Sequence, residues 1–149
     1  MKLTCLGVNG PFPAAQGATS GYLVTCGDTC IQLDMGCGTL GALTALTAPE
    51  SLGALILSHW HYDHCSDVLP LIFRMESLCA QGAKPLKVYG PADENALVRK
   101  AVQASPAMEL HDIAPGDAFT VGNVEVQVGR ARHPVPAVML RLADRKSVV

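Results

Sequence analysis

One segment of the sequence constrains the fold and the chemistry more than any other. Residues 58–64 read Ser-His-Trp-His-Tyr-Asp-His and directly follow an unbroken apolar run at residues 54–57. A run of this kind is typical of a strand that is buried on both faces of a sheet. Ligands of α/β proteins bind at the carboxyl ends of such strands. The sequence therefore predicts a layered α/β protein with a functional site directly after this strand.

The residue types of that segment are those of a metal site. Imidazole and carboxylate groups are ligands that Zn²⁺ and other borderline metals accept. His59 and His61 are two residues apart, so an extended chain directs both side chains to one side. Asp63 continues this alternation, and His64 begins the turn into the next helix. One loop can therefore serve two adjacent metal positions, and a purely structural role for the whole cluster is disfavoured.

Composition and charge bound what else the chain can be. The 149 residues are 49% hydrophobic and 16% charged, which is typical of a single globular domain spanning residues 1–149. The net charge of −2 gives no field that would hold nucleic acid by charge alone. No apolar run approaches the roughly 20 residues of a membrane helix, so no membrane contact is expected. The six cysteines form no C-x-x-C pair and are expected to be small buried side chains, without disulfides, in a cytoplasmic protein.

The remaining sequence alternates predicted strands and helices. Strands are predicted at residues 3–8, 21–26, 29–34, 54–57, 86–89, 118–121, 124–128, 137–142 and 147–149. In the strand at 124–128, valines alternate with polar residues, so one face is expected to be buried, and the sequence leaves open whether Gly129 adds a bulge. Helices are predicted near residues 39–47, at about 67–80, and from Gly90-Pro91 onward. The second helix is expected to bury one stripe of residues: Leu69, Ile72, Phe73 and Leu78. The third is expected to carry acidic residues in its first turn and basic residues late: Asp93, Glu94, Arg99 and Lys100.

The segment His-Trp-His-Tyr-Asp-His resembles the H-x-H-x-D-H signature of the metallo-β-lactamase fold superfamily. Two further motifs are similar to its ribonuclease Z-like and phosphodiesterase-like branch: Ala18-Thr-Ser-Gly-Tyr22 after a Gly/Pro loop, and Asp34-Met-Gly-Cys-Gly38 at the end of an apolar strand. Ser58 before the first histidine also fits that branch. His133 stands where the family's third motif supplies another histidine. The resemblance implies an αββα sandwich, of which this chain would be the N-terminal half.

The resemblance also implies a set of ligands. The first metal would be bound by three histidines: His59, His61 and His133. Asp63 and His64 would bind the second metal, and Asp63 would also orient the attacking hydroxide. Asp34 would hydrogen-bond the loop of residues 58–64, here called the metal loop, and fix its orientation. The alternative is that Asp34 only forms a turn before glycine. Zn²⁺ is favoured, with Mn²⁺ or Fe as alternatives. His111 lies outside every family motif and is expected to be a structural or surface residue.

The activity that the resemblance implies is metal-dependent hydrolysis. The favoured reaction is that of a binuclear phosphodiesterase, in which a metal-bound hydroxide attacks a phosphodiester of a small nucleotide or RNA. Ester, thioester or lactone hydrolysis is the alternative, although Arg132-His133-Pro134 lacks the Gly-His-Thr context of those branches. Basic residues near the end of the chain are either a solvated edge or an attraction for phosphate: Arg130, Arg132, Arg141, Arg145 and Lys146.

Two ligands of the family have no counterpart in these residues. The bridging aspartate of a Gly-Asp-Thr-like motif and a last histidine follow a strand like residues 147–149, so both are expected further on. The 149 residues alone are therefore expected to bind at most one metal tightly and to be nearly inactive. A homo-oligomer or a C-terminal half would complete the site. A non-catalytic metal-binding half-domain is the alternative.

Overall fold

Two sheets form the centre of the fold in the computed structural model, which describes residues 1–144 and 149. The larger sheet has six strands in sequence order: β1 Lys2–Gly7, β2 Gly21–Cys26, β3 Thr29–Met35, β4 Ala54–Ile56, β5 Leu86–Gly90 and β6 Met108–Asp112. Its strands pair antiparallel from β1 to β3 and parallel from β3 to β6. The smaller sheet is antiparallel: β7 Ala118–Val121, β8 Val124–Arg130 and β9 Val138–Ala143.

Within the part of the chain that the structure describes, four helices join these strands: α1 Thr39–Thr44, α2 Tyr62–Cys65, α3 Val68–Cys79 and α4 Leu97–Ala104. A short 3₁₀ turn at Pro49–Ser51 precedes β4. The longest helix among the described residues has 12 residues, and none is both long and apolar enough to span a membrane.

The central strand β4 separates two hydrophobic cores. Leu55 packs with helix residues such as Leu71 and Val98, whereas Ala54 and Ile56 pack with residues of the smaller sheet. All three residues of β4 are fully buried. The prediction of a strand buried on both faces is confirmed. Helices, large sheet and small sheet therefore form three successive layers of the expected αββα sandwich.

The alternation predicted for β8 is also confirmed. Val124, Val126 and Val128 are buried between the sheets, while Glu125 and Gln127 between them are exposed. The sequence left open whether Gly129 interrupts the pairing with a bulge. The pairing of β8 with β9 continues in one register from residue 125 to residue 130. The smaller sheet therefore presents a continuous valine face to the larger one.

The buried stripe of α3 differs from the predicted one. Phe73 is 75% exposed and Leu69 is 42% exposed, although both were expected to face inward. The buried residues are Val68, Leu71, Ile72 and Met75. These positions follow the i, i+3, i+4, i+7 spacing of one helical face. The prediction is confirmed for Ile72, and Leu78 is partly buried against the core. It was wrong for Leu69 and Phe73, because the buried face is displaced by about one residue around the helix.

The third helix begins later than predicted. Helix α4 starts at Leu97, and Asp93 lies in the preceding loop, where its Oδ1 accepts a hydrogen bond from the backbone N–H of Asn95. Arg99 is therefore in the first turn rather than late in the helix. It is buried, and its Nη2 donates to both carboxylate oxygens of Asp112 at 2.8 Å. The predicted match of charges to the helix dipole was wrong, because the acidic residues precede the helix and Arg99 lies in its first turn. Arg99 instead ties α4 to β6 through its ion pair with Asp112.

Strand β6 has no counterpart among the predicted elements. It pairs with β5 over residues 108–112 and carries His111, whose Nε2 lies 2.8 Å from Oε1 of Glu109.

The predicted strand at 147–149 falls largely outside the described residues. Val149 itself exchanges two backbone hydrogen bonds with Leu142 of β9, at 2.6 and 2.8 Å.

The cysteines are all free thiols, but they do not share one environment. Cys65 is fully buried, as expected for a small apolar side chain. Cys5 and Cys37 are exposed, so the expectation of burial was wrong for them. Cys5 lies on the edge strand β1, and Cys37 lies in the turn that follows β3, where side chains reach solvent.

Candidate metal centre

The loop after β4 is fixed by backbone hydrogen bonds to both sheets. Leu57 donates to the carbonyl of Tyr89 on β5 at 2.8 Å, and the carbonyl of Ser58 accepts from Val138 on β9 at 2.9 Å. The second of these bonds places the start of β9 beside the loop. His133, which lies five residues before β9, is thereby brought to the carboxyl end of the parallel strands.

Three predicted ligands converge at this position. The side-chain nitrogens of His59, His61 and His133 that could bind one ion all lie within 4.8 Å of one another. The ring centroid of His59 lies 4.8 Å from that of His61 and 4.5 Å from that of His133. His59 is buried, whereas the other two rings reach solvent on one side. Three imidazoles with one open side are a donor set that suits Zn²⁺.

The other two predicted ligands lie beside this cluster. The ring of His64 is 4.1 Å from that of His59 between centroids. Its Nε2 is 3.6 Å from Oδ2 of Asp63, and its Nδ1 is 2.7 Å from Oδ2 of Asp34. His64 therefore directs one nitrogen to Asp34 and the other to Asp63. A second group of donors thus adjoins the first.

The carboxylate of Asp34 connects these groups. Its Oδ1 accepts the backbone N–H of Ser58 at 2.8 Å, and its Oδ2 accepts the Ser58 hydroxyl at 2.9 Å. Because an ionised carboxylate only accepts, Ser58 donates its proton there and can accept from Nδ1 of His59, 3.0 Å away. His64 likewise donates from Nδ1 to Asp34. Both histidines then retain Nε2 as the nitrogen with a free lone pair, which is the form that binds metals.

Burial and charge set the protonation of these rings. Burial, followed by the proximity of His64, lowers the pKa of His59 to about 4. At neutral pH its imidazole is therefore uncharged, as a metal ligand must be. Burial alone would lower the pKa of His64, but the hydrogen bond that it donates to Asp34 and the charges of Asp34 and Asp63 raise it overall. His64, which lies next to the carboxylates, is thus more basic than His59.

Close backbone contacts hold the Asp34 motif against the metal loop. Asp34 has a φ of +49°, and the buried side chain of Gln32 donates to its carbonyl at 2.6 Å. A Cβ on Gly36 would overlap the carbonyl oxygen of Asp63 and Oγ1 of Thr19. Sequence reasoning did not single out Gln32 or Thr19. The available signal was a polar residue within the apolar strand at 30–33.

The aromatic residues of the segment take packing and rim positions. Trp60 is buried, and its Nε1 donates to the carbonyl of Pro91 at 2.7 Å. Tyr62 is 62% exposed.

The basic residues near the end of the chain that the structure describes do not lie together at the site. Arg132 is exposed directly before His133, whereas Nη1 of Arg141 donates to Gln127 on the outer face of the small sheet. Arg145 and Lys146 lie outside the described residues.

Comparison with known proteins identifies the family. A profile described as the β-lactamase superfamily domain matches residues 31–148. The chain is 33% identical over 153 residues to the probable metallo-hydrolase YhfI of Bacillus subtilis, and 31% identical over 144 residues to ribonuclease Z of Methanopyrus kandleri. The chain belongs to the β-lactamase superfamily, and the predicted resemblance is confirmed.

Solved structures show the same fold. The crystal structure of YhfI matches 98% of the chain with a TM-score of 0.88 and 31% identity. The short form of human tRNase Z matches 99% of it with a TM-score of 0.75 and 18% identity. The chain covers 62% of the YhfI sequence and 50% of the archaeal ribonuclease Z sequence. It therefore spans about half to two thirds of the length of these relatives, which agrees with the expected half of the sandwich.

Proposed function

We propose that this protein is a binuclear metal-dependent phosphodiesterase. The observation that carries the proposal is the convergence of His59, His61 and His133 beside a second donor group formed by Asp63 and His64. The residues come from two separate chain segments and meet at the carboxyl ends of parallel strands. Rings packed so closely would repel one another when protonated. A cation bound by the neutral rings would stabilise the arrangement.

The donor chemistry fits divalent metal ions. The first would be held by His59, His61 and His133, and the second by Asp63 and His64. Zn²⁺ is our preferred ion because imidazole predominates, with Mn²⁺ or Fe as alternatives. Such ions lower the pKa of bound water and neutralise charge on a phosphoryl group. Holding each ring in one tautomer is the task of Asp34 and Ser58, through the hydrogen bonds that fix Nδ1 of His59 and His64.

Asp63 is the residue that we assign to proton handling. Its carboxylate is half-buried, lies 3.6 Å from His64, and can accept a hydrogen bond from the attacking water. The backbone carbonyl of the same residue accepts from Ser20, which fixes the start of helix α2. A carboxylate held in this way is already ordered, so it can orient its hydrogen-bond partner without a further loss of conformational entropy.

A phosphodiester is the substrate class that we favour. Relatives that bear the name ribonuclease Z support it, and so does the exposed Arg132 beside His133. Ester, thioester or lactone hydrolysis by the same site is the alternative. The six free cysteines support our assignment of the protein to the cytoplasm, where thiols stay reduced.

Hydrolysis assays of the whole protein test this proposal. Metal-free protein is reloaded with Zn²⁺ or Mn²⁺ and offered bis-p-nitrophenyl phosphate and p-nitrophenyl acetate. We expect metal-dependent release of p-nitrophenol from the phosphodiester, and a loss of at least about a hundredfold in Asp63→Asn. Asp28→Asn, in an exposed turn, is the matched control. Metal-dependent hydrolysis of the ester alone would favour the alternative, and activity unaffected by metal would contradict both.

A further inference from the structure

A cavity opens beside the histidine cluster, with His61 in its wall. Its volume is about 310 Å³, and its lining includes Trp60, His61, Tyr62, Asn95, Leu97 and Val135. Small-molecule sites begin at roughly this size. Three segments form its walls. They are the metal loop, the loop that carries His133, and the segment leading into α4. Any substrate whose reacting group lies at the histidines therefore has this cavity as a neighbour.

The walls of the cavity suit a flat, uncharged ring. The ring of Tyr62 and the side chain of Leu97 are 62% and 65% exposed, although both are large and apolar. Indole Nε1 of Trp60 is already used by the carbonyl of Pro91, so this residue offers the cavity only its ring. Two exposed apolar side chains at the mouth of a cavity gain free energy when a ring covers them.

Besides His61, the polar residues that line the cavity are Asp93 and Asn95, which lie next to each other at one edge. Asp93 accepts the backbone N–H of Asn95 through Oδ1, and its Oδ2 accepts no hydrogen bond from any residue that the structure describes. The side-chain amide of Asn95 is exposed at the same edge. No lysine or arginine is among the described residues that line the cavity. A carboxylate with no lysine or arginine beside it disfavours phosphate and accepts from amino groups, so these walls favour a neutral occupant with donors at its edge.

We propose that this cavity is the subsite for the base of a nucleoside phosphodiester whose phosphate lies at the histidine cluster. This inference rests on the proposed function and narrows its substrate class. The base stacks on Tyr62, and its edge meets Asn95 and Asp93. An acyl chain would leave both polar groups without partners, and a second phosphate would face Asp93, so neither fits as well.

The single tryptophan of the sequence makes the test direct. Trp60 lies in the cavity wall, so its fluorescence reports occupancy without any need for catalysis. Metal-free protein is titrated with adenosine, with ribose and with inorganic phosphate. We expect a saturable change with adenosine and none with the other two. A response to inorganic phosphate equal to that with adenosine, or no response to adenosine, would overturn the inference.

Variants at the cavity separate stacking from indirect effects. Tyr62→Ala should weaken adenosine binding by about fivefold to about a hundredfold, the range that stacking on an aromatic ring supplies, whereas Tyr62→Phe should retain it. Asn95→Ala should also weaken it, and it alters no buried residue. Gln103→Ala, exposed on the same helix α4 but outside the cavity, is the matched control. Equal adenosine affinity in all four variants would overturn the inference.

The same titration distinguishes the two proposals. Adenosine binding that depends on Tyr62, in a protein without phosphodiesterase activity, would contradict the proposed function and leave the base site standing. Phosphodiesterase activity without adenosine binding would contradict the base site alone.

Discussion

Oδ2 of Asp34 and Nδ1 of His64 lie 2.7 Å apart, although the two residues are separated by 30 positions in the sequence. The same carboxylate also accepts two hydrogen bonds from Ser58. Asp34 therefore fixes both ends of the segment that carries the predicted ligands. Because this carboxylate contacts Nδ1 of His64 directly and Nδ1 of His59 through the Ser58 hydroxyl, its contribution to metal binding is to set the orientation and tautomer of both rings.

Replacing this carboxylate with an amide should weaken metal binding without unfolding the protein. In Asp34→Asn, an amide N–H replaces an acceptor that now serves Ser58 and His64. We expect metal affinity to fall by about 10–100-fold, the usual effect of losing such a partner. Isothermal titration with Zn²⁺ measures the affinity, and urea unfolding of the metal-free protein measures the stability.

Asp28→Asn serves as the control for this substitution, since Asp28 is exposed in the turn between β2 and β3. A large loss of stability in Asp34→Asn together with unchanged affinity would support the alternative interpretation, in which Asp34 is only a turn residue.

Two glycines near each other in sequence should respond oppositely to alanine. In Gly36→Ala, the new Cβ would overlap the carbonyl oxygen of Asp63, so the metal loop must move. We expect a loss of metal affinity and of at least about 2 kcal/mol of stability, as overpacking typically costs 1–3 kcal/mol. In Gly41→Ala the new Cβ meets nothing within 4 Å, and the helix should gain up to about 1 kcal/mol. Thermal unfolding of both variants checks this, and equal behaviour would contradict the close packing of the loop.

Helix α3 provides a test of the layer arrangement. Leu71 is fully buried, and Leu71→Ala should cost about 2–5 kcal/mol of unfolding free energy. Phe73 is 75% exposed, and Phe73→Ala should change stability by no more than about 0.5 kcal/mol. Denaturant unfolding of the pair measures the difference. A larger loss for Phe73→Ala than for Leu71→Ala would mean that the helix packs through the face first expected from the sequence.

Much of the fold could be predicted because local patterns and tertiary packing agree. The apolar run of β4 and the alternating valines of β8 specify their own burial, and both predictions are confirmed. The stripe of α3 could not be fixed in the same way. Leu69 and Phe73 are as apolar as Leu71, so composition does not distinguish one face from the next. The sheet against which the helix packs makes that choice.

The site illustrates the same division. A short motif carries His59, His61, Asp63 and His64, so its residues could be named from spacing alone. His133 was identified by resemblance, because nothing in its own neighbourhood indicates a ligand. Gln32 was missed, since its role depends on the left-handed backbone at Asp34, which no local pattern predicts.

The metal content of a double variant tests the central claim most directly. His59→Ala combined with His61→Ala removes two of the three converging imidazoles, and His111→Ala, on β6, is the control. Each protein is dialysed against Zn²⁺, and its metal content is measured by elemental analysis. We predict stoichiometric metal in the parent protein and in His111→Ala, and none retained by the double variant. Unchanged metal content in the double variant would contradict the assignment of this cluster as a metal centre.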